Sequence, residues 1–324
     1  MTESGALQIL IAEPDDFSER AVQILRAVGD VTLLNWPPDR VQQALEEFDV
    51  IWVRLAMRID RDSIPAEPRC RILASPVTGL DQIDVATSGE RGIRVVSLRG
   101  ETDFLKEIRA TSELTIALAL ALMRNLMPAS RSVNAGKWDR DRFRGGELYG
   151  KTVGLVGVGR VGTLVAGYLK AFGATVVGYD PRPDFPNDIA GQVATLHELL
   201  ACSDLVCLLP SYSKSTRHLI GVAEFASMRE GAYLINTSRG GVIQEQALLE
   251  SLRTGRLAGA ALDVLDGEPQ VAADHPVIQY ARDHANLIVV PHIGGNTQES
   301  FEKTEVFLAS RVVDALSQKA GQAP

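Results

Sequence analysis

Short apolar runs alternate with amphipathic stretches along most of the chain. The apolar runs show little alternation of apolar and polar positions, as expected of parallel strands that are buried on both faces. The first series of runs predicts strands at residues 7–12, 31–36, 50–55, 71–75 and 93–98. The second series predicts strands at residues 152–157, 175–179, 205–209, 232–236, 258–264 and 287–290. Because strands that alternate with helices are joined by right-handed crossovers, the pattern predicts two doubly wound, parallel α/β domains.

Four stretches between and after these runs predict helices. Residues 16–28 and 41–48 are amphipathic, so each predicts a helix between two strands of the first series. Residues 111–125 are rich in Ala and Leu and predict a long buried helix between the two series. Residues 298–317 predict a final helix, which begins after a Gly-Gly-Asn turn.

Composition and charge exclude several classes of protein. The chain has 324 residues, of which 45% are hydrophobic and 23% are charged, as in globular domains with a full core. At about 150 residues per domain, this length predicts two domains. The formal net charge of −8 argues against binding of nucleic acid or anionic lipid through bulk charge. The longest largely apolar run, residues 114–123, is too short to cross a bilayer.

The cysteines and the first residues indicate where the protein works. Three cysteines, Cys70, Cys202 and Cys207, form no Cys-x-x-Cys pair and fit reduced structural thiols. The first ten residues have no basic stretch before an apolar core, so they do not resemble a signal peptide. We therefore expect a cytoplasmic protein without a membrane-spanning segment.

A glycine-rich loop, Gly157-x-Gly159-x-x-Gly162, follows the first strand of the second series and precedes a helical stretch. The first two glycines permit a tight turn and close approach to a pyrophosphate, and the third lets the helix pack on the strand. Asp180 closes the next strand, 18 residues after Gly162. A carboxylate at this spacing binds the adenosine ribose and repels a 2′-phosphate, so the loop predicts NAD rather than NADP. Arg182, two residues farther on, would weaken that preference.

Three side chains that follow later strands can carry the chemistry of a 2-hydroxy acid: Arg239, Glu268 and His292. A guanidinium binds a carboxylate through two parallel hydrogen bonds. An imidazole accepts or returns the hydroxyl proton, and a carboxylate beside its other nitrogen fixes the tautomer. No cluster of residues has metal-ligand spacing, and no serine lies in a nucleophile-elbow context.

In combination these motifs identify a resemblance. The chain is similar to the D-isomer-specific 2-hydroxyacid dehydrogenase family, which includes phosphoglycerate dehydrogenases, from about residue 70 to residue 310. The matching motifs are Gly-Lys-Thr-Val-Gly-Leu-Val-Gly-x-Gly at 150–159, Thr-Ser-Arg-Gly-Gly at 237–241, Leu-Asp-Val-x-x-x-Glu-Pro at 262–269 and Pro-His-Ile-Gly-Gly at 291–295.

The resemblance implies an architecture and an activity. A Rossmann NAD-binding domain, residues 101–296, is expected to be inserted into a flavodoxin-like substrate domain made of residues 1–100 and 297–324. The expected enzyme is an NAD-dependent oxidoreductase that uses NAD or NADH to interconvert small 2-hydroxy and 2-oxo acids in the cleft between the domains. A homodimer is also expected, joined by an arm at residues 134–149 that carries Trp138, Phe143 and Tyr149.

The resemblance also implies a role for each site residue. Arg239 would bind the substrate carboxylate, His292 would be the acid/base, and Glu268 would orient it. The implied cofactor contacts are Thr78, Gly157, Gly159, Arg160, Val161, Gly162, Asp180, Thr237, Ser238 and Asp263. The implied substrate contacts are Val77, Thr78, Gly79 and Arg239.

The stretch from residue 97 to residue 113 departs from the family, because it is several residues longer and lacks an asparagine found there. It carries Arg99, Lys106 and Arg109, while the end of the third strand adds Arg54 and Arg58. One hypothesis is that some of these bases, Arg54 among them, bind a second anionic group of the substrate. The alternative is a solvated loop of mixed charge.

Other functions on the same fold stay open at this stage. A phosphite-type oxidoreductase keeps the same Arg, Glu and His. A formate-type enzyme normally has glutamine where Glu268 stands. A catalytically idle, NAD-sensing binding protein is a third alternative. An allosteric phosphoglycerate dehydrogenase would need a regulatory domain, and after Gln298 the sequence predicts only a helix.

Overall fold

The computed structural model describes residues 6–183, 185–186, 188 and 190–318. The chain divides into two compact units, with boundaries after Glu107 and before Thr297. The sequence predicts the first boundary at residue 100, seven residues too early. The boundary lies farther along because residues 102–105 form a short helix, and the Phe104 ring stacks on Phe307 of the last helix at a centroid distance of 3.9 Å.

Within the described residues, the first unit has a parallel sheet of five strands, flanked by helices. Its strands are β1 (Leu7–Ile11), β2 (Gly29–Leu33), β3 (Val50–Trp52), β4 (Ile72–Ser75) and β5 (Arg94–Ser97). The helices that alternate with them are α1 (Glu19–Arg26), α2 (Val41–Glu47), α3 (Val85–Glu90) and α4 (Thr102–Leu105). The strand order β2-β1-β3-β4-β5 is the flavodoxin-like order, as predicted.

The second unit is larger and contains the remaining strands. Its elements are α5 (Ala110–Met123), α6 (Leu126–Asn134), β6 (Thr152–Val156), α7 (Arg160–Ala171), β7 (Thr175–Tyr179), β8 (Gly191–Gln192), α8 (Leu196–Cys202), β9 (Leu205–Leu208), α9 (Val222–Ser227), β10 (Ala232–Asn236), α10 (Glu245–Arg253), β11 (Leu257–Leu262), α11 (Pro276–Asp283) and β12 (Leu287–Val289). The chain then returns to the first unit as α12 (Gln298–Ser317), which packs against α1.

The sheet of the second unit is parallel in every described pairing, with the strand order β12-β11-β10-β9-β6-β7-β8. Adjacent strand residues point to opposite faces, so Leu234 joins the core under α8 to α11 and Ile235 joins the core under α5 and α7. Helices therefore cover both faces, as in a Rossmann fold. The order reverses beside β6, where ligands bind in such sheets.

Most predicted elements are confirmed, and the differences have local causes. The helix predicted at 111–125 ends at Met123, because Asn125 adopts a left-handed conformation at φ +52° and a second helix, α6, begins at Leu126. The helix predicted from residue 16 begins only at Glu19, where the Ser18 hydroxyl caps it by accepting the Ala21 amide. The two-residue strand β8 is too short to be predicted.

Within the described ranges, every helix falls short of the length and apolar character that crossing a bilayer requires.

Candidate active site

The glycine loop between β6 and α7 has the shape of a phosphate cradle. Gly157 has a φ of +91°, and a Cβ there would lie 2.9 Å from the Leu209 carbonyl carbon. A Cβ on Gly162 would lie 2.4 Å from the carbonyl oxygen of Gly157. Around Gly159, in contrast, the nearest atom to such a Cβ is Arg182 Nη2, at 4.0 Å. The loop is therefore tightly packed on its inner side and open at Gly159, where a ligand can approach the backbone.

The start of α7 provides the hydrogen-bond donors for this cradle. Gly159 precedes the helix and has no side chain to cap it, so the first backbone amides are left for an anion. These amides include those of Arg160 and Val161. The Arg160 side chain turns back instead, and its Nη1 donates to the Ile108 carbonyl at 2.8 Å. The loop residues thus fit the pyrophosphate of a dinucleotide.

Asp180, at the end of β7, faces the glycine loop. Its Oδ2 accepts the Val158 amide at 2.9 Å, and both of its oxygens accept hydrogen bonds from Arg182. Burial acts to raise the pKa of Asp180, but the hydrogen bonds and charge of Arg182, with the Val158 amide, outweigh it and lower the pKa. The carboxylate is therefore ionised and placed where an adenosine ribose is expected.

Glu268 and His292, which the motifs predict to be an acid/base pair, are in direct contact. His292 Nδ1 lies 2.7 Å from Glu268 Oε1, and both side chains are about one-quarter exposed. The second oxygen, Oε2, accepts a long hydrogen bond of 3.4 Å from the Leu265 amide. Because Nδ1 is occupied by the carboxylate, the other ring nitrogen, Nε2, is the one presented to a reacting group.

The backbone at His292 is strained, and Asp263 holds it. His292 has a φ of +52°, a left-handed conformation that is uncommon in residues other than glycine. Its amide donates to the Asp263 carbonyl at 2.7 Å. The Asp263 carboxylate accepts the amides of Ile293 and Gly294 at 2.7 and 2.9 Å. Gly294 permits this approach, since a Cβ there would lie 2.7 Å from Asp263 Oδ2.

Asp263 is thus an anchor for the loop that carries His292. Burial raises the pKa of Asp263, although the amide of Ile293 and the charge of His292 act in the opposite direction. Both carboxylate oxygens are engaged by backbone amides. Its predicted contact with the nicotinamide end of the cofactor stays a prediction.

The Thr237–Arg239 segment, after β10, is organised by a residue that the sequence analysis missed. Asn236 is fully buried; its Oδ1 accepts from the amide and hydroxyl of Ser238 at 3.0 and 2.7 Å. Its Nδ2 donates to the Arg239 carbonyl at 3.0 Å. Arg239 Nη1 in turn donates to the Ser238 carbonyl at 2.8 Å. The sequence offered one signal of this role: Asn236 is a single amide side chain at the end of an otherwise apolar strand.

A second missed residue, Thr115, lies on α5 behind this segment. Its hydroxyl donates to the Thr111 carbonyl at 2.8 Å and lies 2.8 Å from the Thr237 hydroxyl. Since a hydroxyl has one proton, Thr237 is the donor between the two threonines. The buried Thr237 side chain is therefore held by α5, through its hydrogen bond to Thr115.

The segments that carry Arg239 and Glu268 are packed against each other. A Cβ on Gly240 would lie 2.0 Å from the Leu265 carbonyl carbon and 2.2 Å from the Asp266 nitrogen. Only glycine fits at this position, so the close packing explains why a glycine follows Arg239. The structure therefore brings Arg239, Glu268 and His292 to the carboxyl ends of β10, β11 and β12, which are neighbouring strands.

The predicted contacts of the first unit lie just after β4. Thr78 is exposed, Val77 and Gly79 are half-buried, and the Val77 carbonyl accepts the Leu98 amide at 3.2 Å. Their contact with cofactor or substrate stays a prediction.

Arg54 is engaged within the protein, and this weakens the hypothesis of a second anion. Its Nη2 lies 2.6 Å from Glu305 Oε1, and its Nη1 donates to the Asp15 carbonyl at 2.8 Å. The Phe301 ring lies under its guanidinium at 4.5 Å. Lys106 is similarly paired, at 2.7 Å from Asp103. The sequence could not show the pairing of Arg54, because Glu305 is 251 residues away from it.

Metal ligands and buried thiols elsewhere in the described part of the chain do not form a second reactive centre. Among the described residues, no group of three or more His, Cys, Asp or Glu side chains is arranged to hold a metal ion. Burial raises the pKa of both Cys70 and Cys207 to about 12, so these thiols are protonated and unreactive.

Comparison with known proteins agrees with this geometry. Residues 116–294 match the family model of the D-isomer specific 2-hydroxyacid dehydrogenase, NAD binding domain. A D-3-phosphoglycerate dehydrogenase of Methanocaldococcus jannaschii is 34% identical over 316 residues, which are 96% of this chain and 57% of that protein. A hydroxypyruvate reductase of Thermotoga maritima is 33% identical over 305 residues, which are 93% of this chain and 96% of that protein.

A solved structure shows the same fold. The D-lactate dehydrogenase from Aquifex aeolicus, complexed with NAD and lactic acid, has a TM-score of 0.81 and 27% identity, with 95% of each chain covered. The chain spans little more than half the length of the phosphoglycerate dehydrogenase that it matches. It matches the hydroxypyruvate reductase over nearly its whole length. The second unit is an NAD-binding domain, as the glycine loop predicts, and the chain belongs to the D-isomer-specific 2-hydroxyacid dehydrogenase family.

Proposed function

We propose that this protein is an NAD-dependent D-2-hydroxyacid dehydrogenase that also works as a 2-oxo acid reductase. The observation that carries the proposal is the 2.7 Å contact between His292 Nδ1 and Glu268 Oε1, in the same unit as the glycine loop and Arg239. A histidine oriented by a carboxylate can act as a general acid/base when it lies at the cofactor site, and a dinucleotide loop alone would not need one.

The side chains divide the work as follows. Glu268 fixes the Nδ1 proton of His292, so Nε2 faces the hydroxyl or carbonyl oxygen of the substrate. In oxidation, His292 accepts the hydroxyl proton while C2 loses its hydrogen with the bonding electron pair; in reduction, it returns the proton to the carbonyl oxygen. NAD, held at the glycine loop, would supply the hydride acceptor, and NADH would supply the hydride in the reverse direction. Arg239 binds the carboxylate through its guanidinium and orients C2.

The substrate class follows from these groups and from the relatives. One relative is a hydroxypyruvate reductase, and a neighbouring structure is a D-lactate dehydrogenase with NAD and lactic acid. Arg54 and Lys106 already have carboxylate partners, which favours substrates that carry no second anionic group. We propose that 2-oxo acids with a single carboxylate, such as glyoxylate, pyruvate and hydroxypyruvate, are accepted.

An absorbance assay of NADH oxidation tests the proposal. The panel holds those three acids and 3-phosphohydroxypyruvate, with phosphite plus NAD beside them. Turnover of a 2-oxo acid that is lost in His292→Ala supports the dehydrogenase. Reduction of NAD by phosphite alone would favour the phosphite-type alternative. NADH binding by fluorescence without any turnover would favour the NAD-sensing alternative and contradict our proposal.

We also propose that the protein is a homodimer joined through α6 and residues 135–149. No residue of α6 is buried, although the helix carries Leu126, Met127 and Val133. Trp138 and Tyr149, in the following segment, are 89% and 76% exposed. So many exposed large apolar side chains within one stretch of the chain are typical of a protein interface. Light scattering should give twice the mass of the chain, and Met127→Glu with Val133→Glu should give the single mass; a monomeric wild type would refute the dimer.

The cysteines support a proposal on location. Cys70, Cys202 and Cys207 are free, so we propose that the protein works in the reducing cytoplasm. Cell fractionation with an antibody against the chain tests this.

A further inference from the structure

A second histidine–carboxylate pair lies beside the segment that carries Glu268. His275 Nε2 is 3.3 Å from Glu245 Oε2, and the two side chains are about one-fifth exposed. The other ring nitrogen, Nδ1, is buried and has no hydrogen-bond partner among the described residues. Nε2 is therefore the ring nitrogen that faces the Glu245 carboxylate. Neither residue has a role in the proposed reaction.

The second oxygen of Glu245 reaches the segment between Asp263 and Glu268. Glu245 is the first residue of α10, and its Oε1 accepts the Asp266 amide at 3.0 Å. Gly240 packs closely against the same peptide, since a Cβ there would lie 2.2 Å from the Asp266 nitrogen. The Leu265–Asp266 peptide thus contacts both the residue after Arg239 and the carboxylate of Glu245.

This peptide is connected directly to Glu268. The Leu265 amide donates to Glu268 Oε2 at 3.4 Å, and the Glu268 amide donates to the Leu265 carbonyl at 3.5 Å. Gly267, between them, has a φ of +85°, a conformation that glycine adopts readily, so the turn itself adds little rigidity. A rotation of the Leu265–Asp266 peptide would move the Glu268 carboxylate away from His292.

We infer that Glu245, held by His275, is a positioning residue that sets the orientation of Glu268 toward His292. The inference rests on the proposed function for its kinetic part, since Glu268 and His292 are the proposed acid/base pair. What matters is the acceptor at Oε1. Glutamine keeps an oxygen at this position, whereas alanine removes it and leaves the Asp266 amide without its partner.

The electrostatics of the pair favour glutamine as the conservative variant. Burial raises the pKa of Glu245, and the charge of Asp266 adds to this; the Asp266 amide and the charge of His275 act in the opposite direction. A group that burial already biases toward its neutral form tolerates a neutral amide.

The test compares Glu245→Ala, Glu245→Gln and the matched control Glu250→Ala, which changes an exposed glutamate on the same helix. With the 2-oxo acid that the wild type reduces best, Glu245→Ala should lower kcat by about tenfold to a hundredfold, the usual cost of displacing a catalytic group by about 1 Å. NADH affinity by fluorescence should not change. Glu245→Gln should recover most of the rate, and Glu250→Ala should match the wild type.

Hydrogen exchange gives a readout that does not need turnover. Peptides covering residues 263–269 should exchange faster in Glu245→Ala than in the wild type or in Glu245→Gln. Unchanged exchange there, unchanged kcat in Glu245→Ala, or equal impairment of both Glu245 variants would overturn the inference. If residues 263–269 exchange faster in Glu245→Ala as expected, but the wild type reduces none of the 2-oxo acids, the proposed function is refuted. The positioning contact stays supported in that case.

Discussion

Arg182 holds the carboxylate of Asp180 in a two-pronged ion pair: its Nε donates to Oδ1 and its Nη2 donates to Oδ2, each at 2.9 Å. The two residues lie at the end of β7, where the carboxylate is expected to meet the ribose hydroxyls of NAD. Arg182 offsets the negative charge that would repel a 2′-phosphate. The preference for NAD over NADP therefore depends on the balance between these two side chains.

Substitution of Arg182 and substitution of Asp180 should shift the preference for NADH over NADPH in opposite directions. Arg182→Ala removes the offsetting charge, so the ratio of kcat/KM for NADH to that for NADPH should rise. Asp180→Ala leaves Arg182 available to a 2′-phosphate, so the ratio should fall by roughly 10-fold to 100-fold, the worth of one hydrogen bond to a charged group. Arg282→Ala, an exposed arginine of the same unit, is the control. Equal ratios in all variants would contradict this assignment.

His292→Ala should remove the acid/base while leaving the cofactor site intact. We expect kcat to fall by about 10²- to 10⁴-fold, the typical contribution of a general acid/base, with NADH affinity nearly unchanged. Glu268→Gln should have a smaller effect in the same direction, because the amide still contacts Nδ1. The matched control is His197→Ala, which alters an exposed histidine. A His292→Ala enzyme with wild-type turnover would remove the basis of the mechanism.

Arg239→Ala should weaken recognition of the substrate carboxylate. Loss of a charged partner costs roughly 2–5 kcal/mol, so kcat/KM should fall at least tenfold, with KM raised and kcat lowered. Arg239→Lys should recover only part of this loss, because an ammonium cannot form two parallel hydrogen bonds. Steady-state kinetics with the best 2-oxo acid measure both constants. If KM stayed unchanged in both variants, Arg239 would not bind the carboxylate.

The Arg54–Glu305 pair should contribute strongly to the stability of the first unit. The Arg54 side chain is 14% exposed and that of Glu305 is fully buried, and Glu305 Oε2 also accepts the Ser18 amide at 2.8 Å. Glu305→Ala leaves the buried Arg54 charge without a carboxylate partner and the Ser18 amide without its acceptor, so the free energy of unfolding should fall by roughly 3–5 kcal/mol. Urea unfolding measures this, with the exposed Glu302→Ala as control. A loss below about 1 kcal/mol, the size of an ordinary substitution, would contradict a structural role for the pair.

Asp49 should make stability depend on acidic pH. Burial acts to raise its pKa, but the Gln8 amide and the charges of Arg69 and Arg71 outweigh it and lower the pKa from 3.8. A carboxyl whose pKa is lower in the folded state stabilises the protein fully above the unfolded value and loses that contribution as the pH falls through the folded value.

The matching variant is Asp49→Asn. Its deficit in the free energy of unfolding should be constant near neutral pH and should shrink below about pH 3.8. Urea unfolding at a series of pH values follows this deficit, and the exposed Asp39→Asn should show none of it. A deficit that grew as the pH fell would contradict a lowered pKa of Asp49 in the folded protein.

Features that depend on near neighbours in the chain were predictable. The glycine loop, its strand and its helix occupy a short stretch, and the φ of +91° at Gly157 is a local requirement that only glycine meets easily. The final helix begins where expected because the Thr297 hydroxyl accepts the Ser300 amide at 3.1 Å. Asn125 shows where local patterns fail: its left-handed conformation ends an apolar helix inside a stretch that remains compatible with helix.

The family and the candidate residues Arg239, Glu268 and His292 follow from motifs that are contiguous in the chain. The arrangement of these groups in space does not follow from the motifs, because hydrogen bonds also join residues that are far apart in the sequence. Arg54 carries the same charge whether it faces a substrate or Glu305, and Asp263 has the same two oxygens whether they meet a cofactor or the amides after His292. Glu245 becomes notable only when the folded chain sets it against the Asp266 amide. Sequence therefore specified which chemical groups are present, and the packing of distant segments determined which of them are still available to a ligand.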